Sequence, residues 1–331
     1  MTQLDGLETR AATADDLPGC ERVWRDALNG YLVRLGQLAV PEDNPGLRRL
    51  HAHTLATDPE RFRVATRGDR VVAFGSAVRR GPVWFLSMLF VDPAEQARGL
   101  GRRLLGQLLS VEGLGGNQGG PGDEEGGAHP AGGQATALAT TTDSAQPISN
   151  GLYASLGIAP RMPLLGVVGR PRRDWTPPAL PDGITAGPLG PGGAGGAIPP
   201  DVEAEIADLD REVVGFVHPE DHAFARRERP AAFGYRDAAG RLVGYGHTSE
   251  VGRVGPVAVR DAALLGPALA HLLTAVEPRG ASATWLGGAA GPAIATVLEA
   301  GLRFEDFPLL VCWSRPFADF ARYVPLSPGL P

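Results

Sequence analysis

The chain has 331 residues, of which 43% are hydrophobic and 21% charged, so it is long enough to bury one or two cores. Its 31 basic and 37 acidic side chains give a formal net charge of −6, which argues against general binding of nucleic acid or anionic lipid. The start MTQLDGLETR has no apolar core, no apolar run reaches membrane-spanning length, and two cysteines cannot form a disulfide framework, so we expect a cytoplasmic protein.

The first half of the chain predicts alternating strands and helices. Strands are expected at 6–12, 61–67, 70–79, 83–91, 135–142 and 164–168, and helices at 14–35, at 45–57, from 102 onward and at 147–156. The strand 83–91 is apolar throughout, which is typical of a buried central strand. The segment 113–134 is rich in glycine and has little that could pack, so we predict a disordered insertion there.

The second half predicts the same order of elements. Its strands are expected at 232–235, 241–247, 253–259, 282–286 and 308–313, and its helices at 262–276 and 292–300. Residues 91–105 overlay 259–273 without gaps, which indicates a tandem duplication. Because residues 170–182 are rich in Pro and Arg, we predict one domain at 1–170, a linker at 171–182 and a second domain at 183–331.

One motif carries clear chemistry: Gln96-x-x-Gly99-x-Gly101, between the buried strand and a helix. The two glycines allow a tight turn and a close backbone approach to a ligand. The free amides and the dipole at the start of a helix favour an anion. Arg102 and Arg103 add positive charge in the first turn, so the pattern favours a diphosphate ligand.

Two other phosphate-binding motifs are excluded at this turn. A dinucleotide fingerprint needs a third glycine where Leu104 stands, and a P-loop needs a lysine, which the chain lacks altogether. A glycine turn that binds no ligand stays open as the alternative.

The residues around this motif resemble a known family. FLSMLFVDPAEQARGLGRRLLGQLL (85–109) resembles the coenzyme A segment of the GNAT superfamily of N-acetyltransferases, and NGLYASLG (150–157) resembles its following motif. The second half looks like a diverged copy. The resemblance implies an α/β (α+β) fold of two tandem GNAT-like domains, each a mixed, splayed central sheet flanked by helices.

The resemblance also implies a reaction and its residues. The first domain would bind acetyl-CoA, and its acetyl group would pass to a primary amine by direct attack. Tyr153 would donate a proton to the leaving thiolate, since a phenol with a pKa of ~10 suits that role. The positions implied to contact the pantetheine arm or the pyrophosphate are Leu89, Phe90, Val91, Gln96, Ala97, Arg98, Gly99, Leu100, Gly101, Arg102 and Asn150.

The sequence leaves the base and the acceptor open. The central strand offers only Ser87, so Asp26, Glu42 and His51 are the candidates for the general base. The acceptor is a small-molecule amine or a protein amine, and the chain acts as a monomer or a homodimer. The alternative hypotheses are a non-catalytic acyl-CoA-binding regulatory or interaction module, and a scaffold that binds no ligand.

The second copy departs from the motif. In the overlay Pro267 replaces Gly99 and Val297 replaces Tyr153, so we expect no cofactor there. No metal is expected either, because His218-Pro219-Glu220-Asp221-His222 fits no zinc-enzyme pattern and is interpreted as the first turn of a helix. The segment that ends in Pro331 is expected to be frayed.

Overall fold

The computed structural model describes residues 6–114, 135, 137–191, 196–305 and 307–331. Its contacts divide the chain into two compact units, Met1–Thr136 and Ala137–Pro331. The predicted disordered insertion lies outside the described residues, except for its first two positions. Within the described ranges, no helix combines the length and the apolar character that a membrane crossing requires.

The first unit is an antiparallel sheet of order β1-β2-β3-β4 with three helices. Its elements are β1 (Leu7–Ala11), α1 (Leu17–Leu32), α2 (Pro45–Thr57), β2 (Phe62–Arg67), β3 (Arg70–Arg80), β4 (Val83–Val91) and α3 (Leu100–Ser110). Single turns of 3₁₀ helix lie at Ala14–Asp16, Val33–Leu35, Pro59–Arg61 and Pro93–Glu95. The strands and helices predicted for this unit are confirmed. For most of them the observed bounds differ from the predicted ones by two residues or fewer.

Two apolar cores lie on the two faces of this sheet. On β4, Met88 and Phe90 pack into a core with α1, whereas Leu89 and Val91 pack into a core with α3. This follows from the alternation of side chains along a strand. The end of β4 is therefore held from both sides, which fixes the point where the chain leaves the sheet for α3.

The second unit holds the remaining elements. They are β5 (Ala137–Asp143), α4 (Pro147–Ala154), β6 (Ala159–Gly169), β7 (Thr185–Pro188), α5 (Pro200–Val213), α6 (Pro219–Glu228), β8 (Ala231–Arg236), β9 (Leu242–Thr248), β10 (Val257–Val259), α7 (Ala262–Ala275), β11 (Ser282–Gly287), α8 (Gly291–Glu299), β12 (Arg303–Phe304), β13 (Leu309–Trp313) and β14 (Tyr323–Val324). The sequence prediction missed β7, α5, β12, β14 and most of α6.

A strand from near the end of the chain completes the sheet that β5 and β6 begin. β13 lies between these two strands, and Cys312 pairs with Thr140 on one side and Pro160 on the other. β6 in turn pairs with β11. Residues 137–169 therefore pack with the C-terminal half, and the contact boundary falls after Thr136 rather than at the expected linker 171–182. The duplication boundary itself stays a prediction.

A separate five-stranded antiparallel sheet has the order β14-β10-β9-β8-β7. The segment after β14 packs onto this unit, because Leu326 and Leu330 are buried. The hydroxyl of Tyr323 donates a hydrogen bond to the carbonyl oxygen of Pro331 at 3.0 Å. The expectation of a frayed segment here is wrong, since its leucines contribute apolar burial.

Candidate functional site

The loop between β4 and α3 is exposed over most of its length. Residues 96–102 are called the glycine loop below; positions 96–99 in it are exposed. Gly99 adopts the left-handed conformation, with φ 80° and ψ 3°, and Ala97 also has a positive φ of 63°. A Cβ placed on Gly99 would meet no atom of the described residues within 4 Å. The space in front of this glycine is open, so a ligand can approach the backbone there.

The first backbone amides of α3 have no hydrogen-bond acceptor within the helix. Gly99 is its N-cap residue, and no side chain caps the helix. The first bond at this end runs from the amide of Arg103 to the carbonyl of Gly99 at 3.0 Å. Helix geometry therefore leaves the amides before Arg103 without an intrahelical acceptor. Together with the helix dipole, these amides form a site for an anion.

Ion pairs fix the segment just before the glycine loop. The carboxylate of Glu95 accepts two hydrogen bonds from Arg67, both at 3.0 Å, and one from Arg98 at 3.1 Å. The bond from Arg67 lowers the pKa of Glu95. Asp92 accepts a hydrogen bond from Arg70 at 2.7 Å. These acidic side chains are thus turned toward arginines of β2, β3 and the loop, and sequence reasoning missed both of them.

Gln96 has a structural role in addition to the implied one. Its side-chain amide donates to the carbonyl oxygen of Val91 at 3.0 Å. The side chain therefore closes the loop back onto the end of β4. This bond explains why an amide side chain suits the first position of the motif. It also engages the carbonyl of Val91, one of the strand residues that the resemblance assigns to the pantetheine arm.

Asn150 and Tyr153 lie in the second unit, on α4. The side-chain amide of Asn150 donates to the carbonyls of Asp143 at 3.1 Å and Gln146 at 2.9 Å, which ties the end of β5 to the start of α4. Its Oδ1 is buried and has no hydrogen-bond partner among the described residues. A buried acceptor of this kind is costly unless a donor reaches it.

Tyr153 is a buried phenol, 5% exposed. Burial raises its pKa well above the ordinary value of a tyrosine, and the nearby Cys312 thiol adds to that shift. The Oη of Tyr153 therefore carries its proton at neutral pH and can act as a hydrogen-bond donor or an acid. The structure brings the predicted positions 89–102 into one strand end and loop, and it places Asn150 and Tyr153 together on one helix.

The three candidate bases have different surroundings. Asp26 lies 3.4 Å from Arg22 and 3.5 Å from Arg25, whereas Glu42 is exposed. His51 is fully buried, and neither ring nitrogen has a hydrogen-bond partner among the described residues. Its ring packs edge-on against Phe74 at 5.3 Å. Burial lowers its pKa to about 4, so His51 is neutral at pH 7 but enclosed in the core.

The positions that overlay the two glycines lie inside a helix of the second unit rather than at its start. The N-cap residue of α7 is Asp261, whose carboxylate accepts a hydrogen bond from the amide of Ala263 at 2.9 Å. Pro267 lies inside the helix, and Leu269 and Val297 are fully buried. A negative side chain occupies the helix start here, whereas α3 begins without a side-chain cap.

The family model described as "Acetyltransferase (GNAT) family" matches residues 22–112, from α1 to just beyond α3. The chain carries a GNAT acetyltransferase domain. The matched segment includes the whole glycine loop, and acyl transfer is the activity of this family. Comparison with curated proteins finds no match.

Solved structures extend the GNAT fold over the rest of the chain. A Pyrococcus horikoshii protein assigned as an acetyltransferase aligns with TM-score 0.70 and 15% identity, over 100% of this chain and 98% of that one. A GCN5-related N-acetyltransferase from Sphaerobacter thermophilus aligns with TM-score 0.60 and 19% identity, over 97% and 100%. A tandem GNAT protein from the clavulanic acid biosynthesis pathway aligns with TM-score 0.53 and 18% identity, over 94% and 99%. The recognition of a GNAT protein with two tandem domains, and its α/β fold class, are confirmed.

The buried imidazole of His51 predicts how acid affects stability. Its pKa is about 4 in the folded chain, against about 6.5 in an unfolded chain. Because the unfolded state takes up the proton first, stability falls as the pH drops through this interval, by about 3 kcal/mol at most. In His51→Phe, which keeps a ring among phenylalanines, that loss is absent. Urea unfolding at several pH values measures it, and equal pH slopes for the two proteins would contradict the assignment.

Proposed function

We propose that the chain is an acetyl-CoA-dependent N-acetyltransferase, which moves the acetyl group to a primary amine by direct attack. The observation that carries the proposal is the uncapped start of α3 behind the left-handed Gly99, in the segment that matches the family. The acceptor is a small-molecule amine or a protein amine. We place the reaction in the cytoplasm, with the chain as a monomer or a homodimer.

The described residues fit the chemistry of coenzyme A. A pyrophosphate needs several donors and little steric hindrance, which the amides of the glycine loop and the open space at Gly99 supply. The pantetheine arm carries amides, for which the backbone at positions 89–91 and the Oδ1 of Asn150, which no described residue hydrogen-bonds, offer hydrogen-bond partners. Arg98 and Arg102 add positive charge near the phosphates.

Acetyl-CoA supplies an activated thioester carbonyl. The glycine loop holds and orients its phosphates, so that binding also places the thioester in position for attack by the amine. The Oη of Tyr153 holds a proton at neutral pH and donates it to the sulfur as the carbon–sulfur bond breaks. The attacking amine must lose its own proton, and the enclosed ring of His51 cannot reach it. Asp26 and Glu42 remain the candidates for that step.

One observation favours the alternative of a non-catalytic acyl-CoA-binding module. The central strand β4 carries no carboxylate or imidazole in its sequence VWFLSMLFV, so no base stands at that position. Turnover with an amine decides between the two functions, whereas binding alone is common to both.

The glycine loop predicts a specific loss of affinity in Gly99→Glu. The new carboxylate would repel the pyrophosphate and fill the space through which it approaches, so the affinity for acetyl-CoA should fall by about 100-fold or more. Gly36→Glu is the matched control, because Gly36 lies in the same unit, has φ 77° and has no described atom within 4 Å of an added Cβ. Equal affinities of the two variants, by equilibrium binding, would refute the pyrophosphate assignment.

The proton role of Tyr153 predicts a loss in kcat. In Tyr153→Phe, kcat for release of the coenzyme A thiol with a panel of amines should fall by roughly 100-fold, with little change in the KM for acetyl-CoA. Because burial raises the pKa of Tyr153, the wild type should keep its acid form at least to about pH 10.

The control for this variant is Tyr235→Phe, another buried tyrosine of the second unit, whose hydroxyl donates to the carbonyl of Ala268 at 3.0 Å. It should keep wild-type kcat. A Tyr153→Phe enzyme as fast as the wild type would eliminate the phenol as the acid. Binding of acetyl-CoA by the wild type without turnover of any amine would favour the non-catalytic module.

A further inference from the structure

A second cluster of chemically active side chains lies in the second unit, apart from the residues assigned to acetyl-CoA. Asp210 of α5, His218 and His222 of α6 are 1%, 1% and 7% exposed. One ligand atom from each of these residues lies within 4.8 Å of the others. The proposed acetyl transfer uses none of the three.

Local structure explains why the two imidazoles meet. His218 is the N-cap residue of α6, and Glu220 and Asp221 occupy its first turn, so the interpretation of this segment as a helix start is confirmed. Residues four apart share a helix face. The rings of His218 and His222 therefore lie side by side, with centroids 4.6 Å apart. Asp210, near the end of α5, faces both of them.

The distances fit ligands that share one ion. Oδ2 of Asp210 lies 2.7 Å from Nε2 of His222 and 3.6 Å from Nε2 of His218. Nitrogen and oxygen ligands bind Zn²⁺ at about 2.0–2.1 Å, so two tetrahedral ligands stand about 3.3 Å apart. These two separations lie on either side of that value, and all three ligand atoms lie within 4.8 Å of one another.

Outer partners orient two of the three ligands. The hydroxyl of Tyr245 on β9 donates to Oδ1 of Asp210 at 2.7 Å, which leaves Oδ2 directed at the histidines. Oδ2 of Asp221 lies 3.5 Å from Nδ1 of His218, the ring nitrogen on the far side from Asp210. A carboxylate behind a histidine and a donor behind a carboxylate are the usual supports of metal ligands. A buried carboxylate also requires a compensating positive charge.

We propose that Asp210, His218 and His222 bind one divalent first-row transition-metal ion of the Zn²⁺ type. Two imidazoles and a carboxylate suit such ions, whereas Mg²⁺ and Ca²⁺ prefer oxygen ligands alone. The ion would join α5 to α6 and, through Tyr245, to β9. The sequence expectation of no metal rested on missing enzyme motifs, which do not cover a site whose carboxylate comes from another helix.

The test uses the full chain, with any purification tag removed. Zinc is measured by mass spectrometry in the isolated protein, which is then stripped with a chelator and titrated with Co²⁺, followed by Zn²⁺. We expect one ion per chain, the visible absorption of low-symmetry Co²⁺ with nitrogen ligands, its loss on addition of Zn²⁺, and a higher Tm with Zn²⁺. A stripped protein that stays folded and binds neither ion would show that Asp210 and His222 form only a hydrogen-bonded pair, and would overturn the proposal.

Variants separate this site from adventitious binding. His222→Gln keeps a polar side chain beside Asp210 and should weaken Co²⁺ binding at least 100-fold. Asp221→Asn, behind His218, should weaken it by about 10- to 100-fold. His271→Gln is the matched control, a histidine of the same unit whose Nδ1 contacts the hydroxyl of Tyr235 at 3.1 Å. Equal affinity in all three variants would place the ion elsewhere and refute the site.

Discussion

The account depends on the backbone amides at the start of α3, which have no acceptor within the helix. A helix must satisfy its first amides with a side chain, water or a ligand, and this one has no side-chain cap. The left-handed backbone at Gly99 and the open space before it keep that end accessible. Two apolar cores hold the end of β4, and Arg67 and Arg70 hold the carboxylates that follow it. Packing and ion pairs thus keep a polar loop in a shape suited to an anion.

In the second copy the helix begins before the overlaid glycine positions, which lie inside α7. Asp261 caps α7, and Leu269, which overlays Gly101, is fully buried in the core. The strand order of this unit does not follow the chain order, because β13 lies between β5 and β6. A strand from near the end of the chain therefore completes the sheet next to α4, the helix that carries Asn150 and Tyr153.

Sequence patterns predicted the long elements and the glycine loop well, since these depend on local periodicity and on residues such as Gly99 and Gly101. They failed where pairing is between distant segments. Nothing local to residues 309–313 indicates that this strand pairs with 137–143 and 159–169. Strands of two to four residues are too short to show a hydrophobic period. Helix α5 did have a signal, because Ile206, Leu209 and Val213 recur at helical spacing. Arg67, which binds Glu95, and Tyr245, which binds Asp210, come from distant elements, and a single sequence does not reveal such pairs.

The most direct test of the central claim is a calorimetric titration of the purified full chain with acetyl-CoA. The account predicts one site per chain, because α3 starts without a side-chain cap at the left-handed Gly99, whereas α7, the corresponding helix of the second copy, is capped by Asp261. Two sites per chain would contradict the account of the second copy. No heat of binding, even at about millimolar ligand where a weak complex would still form, would contradict the assignment of the glycine loop itself.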